Sequence, residues 1–257
     1  MNGSPAVVPP PKAVVLDTDG VLLDSAVVHA AAWKTAFDAC LSRPGPGEGG
    51  QAPFDADAEY RRYVDGKARF DGAAAFLTSR GVRLPPGEPG DAPGCDTVWA
   101  VAARKEQVFK AMVDARGVPV YAEAASALDA LRAAGVRCAA VSASRHARAL
   151  LTASGLGRHL AVVVDGVDAA RLHLRGKPDP ALFLHAAALL GARPRDTAVV
   201  EDARAGVSAA HRGGFGLVVG LDRTPDGHVT DVLRDEGADL VVPDLATLVR
   251  SVWGERR

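Results

Sequence analysis

The chain contains no run approaching the roughly 20 consecutive apolar residues of a membrane helix. Its opening residues, MNGSPAVVPPPK, lack the charged and long apolar regions of a secretory signal, so a cytoplasmic location is expected. Their prolines predict an extended tail over residues 1–11. Cysteine is scarce. Cys40, Cys95 and Cys138 are odd in number, far apart and without metal-ligand spacing, and they read as free thiols in a reducing compartment. Cys138, inside the apolar run VRCAAVS, reads as a small buried hydrophobe. Net charge is also lacking: 30 Lys and Arg against 31 Asp and Glu give −1, which offers no global field for nucleic acid or an anionic membrane. A phosphorylated ligand would have to be held by a local site. No internal repeat occurs, and a monomer is expected.

What is present is a 257-residue chain of ordinary globular composition, long enough for a core domain and a smaller one. Short apolar runs occur at residues 13–16, 136–141, 161–164, 197–200, 216–219 and 239–242. They are continuous rather than alternating, as in parallel strands covered on both faces. Helical stretches fall between them, at 123–134, 145–154, 180–190, 205–212 and 245–252, and Gly135, Gly155 and Gly191 each follow one. The βαβα alternation predicts an α/β fold with an open, doubly wound parallel sheet.

One region breaks the alternation. Residues 25–116 contain helical stretches at 30–40, 73–79 and 97–115 and two Pro/Gly-rich connections at 43–53 and 85–94, but no buried-strand run. The expected organisation is a core of residues 1–24 and 117–257 with a helical cap domain, 25–116, inserted after the first strand.

In open α/β sheets the site lies at the carboxyl ends of the strands. The first strand ends in Asp17-Thr18-Asp19-Gly20. Such a loop can be no more than a turn, yet two carboxylates one residue apart in extended chain project to one side. One can attack phosphorus while the other handles a proton, and both suit magnesium, which prefers oxygen ligands. The second core strand ends in Ser142-Ala143-Ser144-Arg145, where hydroxyls and backbone N–H groups at a helix start can cradle phosphate or simply cap the helix. Lys177 precedes a proline-started helix and offers a fixed positive charge, or a solvated one. Glu201-Asp202 directly follows an apolar strand, a costly place for unpaired charge that a cation would relieve.

These four segments, in this order, resemble the motifs of the haloacid dehalogenase-like superfamily of phosphotransferases. The resemblance implies a Rossmann-like core with the insert as cap. Asp17 would be phosphorylated and Asp19 would act as general acid/base. Mg²⁺ would be held by Asp17, the Asp19 carbonyl and Asp202, with Glu201 nearby, while Ser142, Lys177 and the Ala143 backbone would bind phosphate. The dehalogenase branch is disfavoured, because it has no aspartate at the position of Asp19.

A closer resemblance is to the β-phosphoglucomutase subgroup. His29 and Trp33 match its HxxxWK segment, Asp65-Gly66-Lys67-Ala68-Arg69-Phe70-Asp71-Gly72 resembles its arginine-bearing cap segment, and Arg104-Lys105 its cap lysine. It implies conversion of β-glucose 1-phosphate to glucose 6-phosphate, with glucose 1,6-bisphosphate as activator. Arg69 and Lys105 would hold a second phosphate. Each of these four also has a structural reading, as helix packing or solvated surface. The chain departs from the subgroup's pattern at His146 and Glu106, where asparagine is usual, at Ala203 instead of serine, and at Tyr121-Ala122-Glu123 instead of proline–glycine. His146 and the other remaining histidines are expected to cluster with nothing. A sugar-phosphate phosphatase is the alternative activity, and a non-catalytic phospho-accepting or binding module is a further one.

Overall fold

A computed structural model describes residues 10–43, 51–224 and 227–254. The tail expected over 1–11 lies outside the described residues except at its end, where the Pro11 carbonyl accepts a hydrogen bond of 2.9 Å from the Trp253 indole. Most of the first Pro/Gly-rich connection, residues 44–50, also lies outside them.

Six strands form one parallel sheet: β1 (Ala13–Asp17), β2 (Arg137–Val141), β3 (Val162–Val164), β4 (Thr197–Glu201), β5 (Leu217–Leu221) and β6 (Leu240–Val242). Their order is β3-β2-β1-β4-β5-β6. All six coincide with the apolar runs, and β1 lies buried at the centre between β2 and β4. Because side chains alternate along a strand, Val14 and Leu16 join one hydrophobic cluster while Ala13 and Val15 join another on the opposite face.

The helices are α1 (Ala26–Leu41), α2 (Arg69–Ser79), α3 (Val98–Arg116), α4 (Ala124–Ala133), α5 (Ala147–Ala153), α6 (Gly166–Arg171), α7 (Ala181–Leu189), α8 (Arg204–Arg212), α9 (Thr230–Asp235) and α10 (Leu245–Trp253). α4, α5 and α10 cover the first face and α7, α8 and α9 the second. The doubly wound architecture is therefore the observed one. The sequence pattern missed α6, α9 and a single π-helical turn at Tyr60–Val64, all too short to show a helical period. Asp165, whose carboxylate caps Val167 and Asp168 in a capping box, was the available signal for α6.

α1, α2 and α3 lie in the insert between β1 and β2 and pack around a third cluster that includes Trp33, Phe37, Phe54, Tyr60, Phe76 and Val101. Where the chain leaves and re-enters the sheet region, its two passages are hydrogen-bonded to each other: Asp24 N–H donates to the Pro119 carbonyl (2.9 Å) and Tyr121 N–H to that of Leu22 (3.3 Å). Arg223 clamps this crossing, lying 3.5 Å from the Tyr121 ring centroid and paired with Glu123.

Two cysteines correct the sequence reading. Cys40, near the end of α1, and Cys95, just ahead of α3, form a disulfide with Cα atoms 5.3 Å apart. They are 55 residues apart in the chain, so only the packing of α1 against α3 brings them together. The free-thiol argument for a reducing compartment thus holds for Cys138 alone, which is buried. No helix among the described residues is long and apolar enough to cross a membrane.

Candidate active site

The sheet order reverses between β1 and β4, and the carboxyl ends of these neighbours deliver Asp17 and Glu201-Asp202 to one place. Beyond β1 the chain turns at once. Leu22 and Leu23 N–H groups donate to the Thr18 carbonyl, and the Thr18 hydroxyl donates to Val141 at the end of β2 (3.0 Å). Gly20 makes the turn with φ +80°, and a Cβ there would overlap the Asp202 carboxylate. Only glycine supplies both the conformation and the space.

Asp17 is buried. Lys177, also buried, bridges its carboxylate to that of Glu201. Burial acts against charge on this lysine, but the two carboxylates outweigh it and raise its pKa, so Lys177 is a fixed cation. Burial raises the Asp17 pKa well above its ordinary value; the Lys177 charge is the main opposing influence, and Glu201 and Asp19 add to the rise.

Asp19 lies in the opposite regime. One carboxylate oxygen accepts from the Ser25 hydroxyl and lies 3.4 Å from His29 Nε2; the other accepts from the Ser142 hydroxyl at 2.9 Å. Burial would raise its pKa, but His29, Ser25 and Ser142 together hold it below the usual range. His29 stacks on Phe109 with ring centroids 4.1 Å apart, and its Nδ1 faces Lys105 Nζ at 2.9 Å. Burial and the Lys105 charge depress the His29 pKa, so a neutral ring accepts at Nδ1 and donates from Nε2 to Asp19. Lys105 is itself buried, lies 4.4 Å from the Phe109 centroid, and is pushed down to about 8 by that burial.

Asp17, Asp19, His29, Trp33, Arg69, Lys105, Ala143, Lys177 and Asp202 all line one cavity of about 460 Å³ between the sheet ends and the insert. Ser142 and Glu201, also singled out in the sequence, sit behind its wall, Ser142 against Asp19 and Glu201 beneath Lys177. Asp65 was quoted only as part of a cap segment, yet it lines the cavity beside Asp202. Burial, then the Glu201 charge, pushes it up to about 6. The neighbouring Gly66, at φ +69°, brings this turn so close to the core that a Cβ would lie 3.0 Å from Ala203. Trp99, Phe70, Glu106 and Arg145 also line it.

The histidines correct a second expectation. His146 Nε2 lies 2.5 Å from Glu106, His159 lies 3.0 Å from Asp129, and His228 lies 2.9 Å from Arg61. All three partners are remote in sequence.

Among the described residues no three His, Cys, Asp or Glu side chains converge closely enough to hold an ion by themselves. The donor set nevertheless fits magnesium, which takes one or two carboxylates and keeps several waters. Asp202 is pushed well above the carboxylate range by burial and then by Asp65, Glu201 and Asp17, so added positive charge would relieve its repulsion. Asp17, Asp202 and the Asp19 carbonyl are the residues that would hold such an ion.

The chain is similar to known proteins. The haloacid dehalogenase-like hydrolase family matches residues 11–214. A β-phosphoglucomutase of Mycobacterium bovis is 42% identical over 239 residues, covering 93% of this chain and 91% of the relative. That of Bacillus subtilis is 30% identical over 254 residues, covering 95% and 94%. A HAD-family hydrolase of Deinococcus radiodurans, solved with bound phosphate and sodium, superimposes with a TM-score of 0.64 at 30% identity, covering 94% of this chain and 95% of that one. The chain is an enzyme of the haloacid dehalogenase-like hydrolase family.

Proposed function

We propose that this enzyme transfers a phosphoryl group within a small phosphorylated sugar, converting β-glucose 1-phosphate to glucose 6-phosphate, with Asp17 as nucleophile, Mg²⁺ as cofactor and residues 25–116 as a cap over the site. The observation that carries the reading is the division of labour between Asp17 and Asp19. Lys177 offsets the repulsion between the Asp17 carboxylate and an anionic phosphate, and magnesium, which Asp17, Asp202 and the Asp19 carbonyl would hold, would supply further positive charge. Asp17 attacks phosphorus in line; an O–P bond forms to Asp17 and the bond to the substrate oxygen breaks. In the return step a sugar hydroxyl attacks the aspartyl phosphate, its proton passes to Asp19, and Asp17 is released. Held as a carboxylate by His29, Ser25 and Ser142, Asp19 is prepared for that base step. The proton it gains serves the leaving oxygen in the opposite half-reaction. Glucose 1,6-bisphosphate would prime the cycle by phosphorylating Asp17.

Two sequence similarities support the sugar phosphate, at 42% and 30% identity to β-phosphoglucomutases over nearly the whole chain. The cavity volume, about 460 Å³, suits a small ligand. The alternative activity is hydrolysis of a sugar phosphate. The test supplies β-glucose 1-phosphate, Mg²⁺ and a trace of glucose 1,6-bisphosphate. Glucose 6-phosphate as the main product is expected; inorganic phosphate alone would replace this reading with the phosphatase.

A further inference from the structure

Two positions at which the chain departs from the subgroup's pattern, Glu106 and His146, are 40 residues apart and touch. Glu106 belongs to α3 of the insert. His146 precedes α5, one residue beyond the Ser142–Arg145 turn at the end of β2. The Glu106 carboxylate is divided between them and the cap arginine: Oε1 lies 2.5 Å from His146 Nε2 and Oε2 lies 3.2 Å from Arg69 Nη1. Arg69 is further placed by Trp99, whose ring centroid is 5.8 Å from its guanidinium carbon. His146 leans on Phe109, 5.8 Å between centroids, the same ring on which His29 stacks. Burial alone would raise the Glu106 pKa, but Lys105, Arg69 and His146 hold it low, so the carboxylate is charged.

Glu106 and Arg69 both belong to the insert and would move together. The contact to His146 is the part of this cluster that crosses to the core, and it exists only while the insert lies over the sheet ends. Resting on the phosphoryl-transfer reading above, we infer that Glu106 and His146 are positioning residues that latch the insert onto the core and hold Arg69 in the cavity lining, and that this latch decides whether the aspartyl phosphate passes to a sugar hydroxyl or to water. While the latch is made, Arg69 faces the distal end of a bound sugar phosphate and water is excluded. When it opens, Arg69 leaves with the insert and water reaches Asp17. The atoms balance in either route: the O–P bond to Asp17 breaks, a new one forms to the sugar or water oxygen, and the proton of that oxygen passes to Asp19.

The test compares H146Q, E106Q and the double variant with the parent enzyme, using β-glucose 1-phosphate with glucose 1,6-bisphosphate and, separately, p-nitrophenyl phosphate, which carries no second phosphate or sugar hydroxyl for Arg69 to position. Each single variant should raise the ratio of inorganic phosphate to glucose 6-phosphate about tenfold, as for loss of one charge-assisted hydrogen bond. The double variant should match either single one within about threefold, because a pair broken once cannot be broken again. Turnover of p-nitrophenyl phosphate should fall far less than formation of glucose 6-phosphate. An unchanged ratio, effects that multiply in the double variant, or an equal loss on both substrates would overturn the latch. If the parent enzyme forms no glucose 6-phosphate, the mutase reading fails by itself. The latch is then judged by amide hydrogen exchange of α3, which should quicken equally in all three variants and would refute the pairing if it stayed at the parent rate.

Discussion

The two walls of the cavity are built on different principles. The core side takes Asp17 and Glu201 from strand ends, at 5% and 1% exposure, and Lys177 from the loop between α6 and α7, at 3%. Strand register sets where the chain delivers the two carboxylates before any side chain chooses a rotamer. The insert wall takes Arg69, Lys105, Glu106 and Trp99 from helices, where placement depends on side-chain partners such as Glu106 for Arg69 and His29 for Lys105. A rigid wall suits chemistry that recurs in every cycle. A wall held by a few polar contacts can close and reopen, and can change its ligand by substitution without disturbing the reacting atoms.

The largest break in this comparison should come at Asp17, the proposed nucleophile. Asp17→Asn should lower turnover of every phosphate substrate by at least about a thousandfold, measured by phosphate release, with the fold intact by circular dichroism. Retained activity in a pure sample would remove Asp17 from the mechanism. Next, Lys177→Met should destabilise the protein by about 3–5 kcal/mol in urea melts, because it leaves Asp17 and Glu201 buried together without their cation. A loss under 1 kcal/mol would mean that the two carboxylates do not rely on this lysine.

On the insert side, Cys40→Ala with Cys95→Ala should cost on the order of 2–4 kcal/mol. Hydrogen exchange should show the loss in α1 and α3 while the β1 and β4 amides keep their protection; uniform loss would show that the insert and sheet unfold as one unit. The smallest effect concerns the Glu59–Arg80 pair, with atoms 2.6 Å apart. Arg80 holds the Glu59 pKa below its ordinary 4.5. A depressed carboxylate contributes stability that is present above the unfolded value and lost as pH falls through the folded one. The parent should therefore lose its advantage over Arg80→Ala, about 1 kcal/mol or less, as pH falls below about 4.5. A difference that stays constant from pH 6 to pH 3 would remove the charge from this account.

Much of the core site was legible because its signals are local. Asp17 and Asp19 stand at the end of an apolar run, Glu201 and Asp202 at the end of another, and strand ends in a doubly wound sheet converge. The insert was legible as helices but not as contacts. Nothing in the local pattern around Cys40 or Cys95 announces a bond across 55 residues. His146 looked solitary because its partner lies on a helix of the insert. Asp65 stood within a quoted segment, yet its place beside Asp202 depends on the turn at Gly66 meeting Ala203.

By itself, then, the sequence determined the parallel sheet, the helical insert and the residues that meet at the centre of the sheet. Hydrophobic period and strand-end placement are properties of a few consecutive residues. The tertiary structure alone decided which charges share a partner: Lys177 between two carboxylates, His29 between Lys105 and Asp19, and Glu106 between Arg69 and His146. Those pairings join residues from different elements across distances of a few ångströms. Burial then sets the strength of each, because a charge that loses water depends on the nearest partner that replaces it.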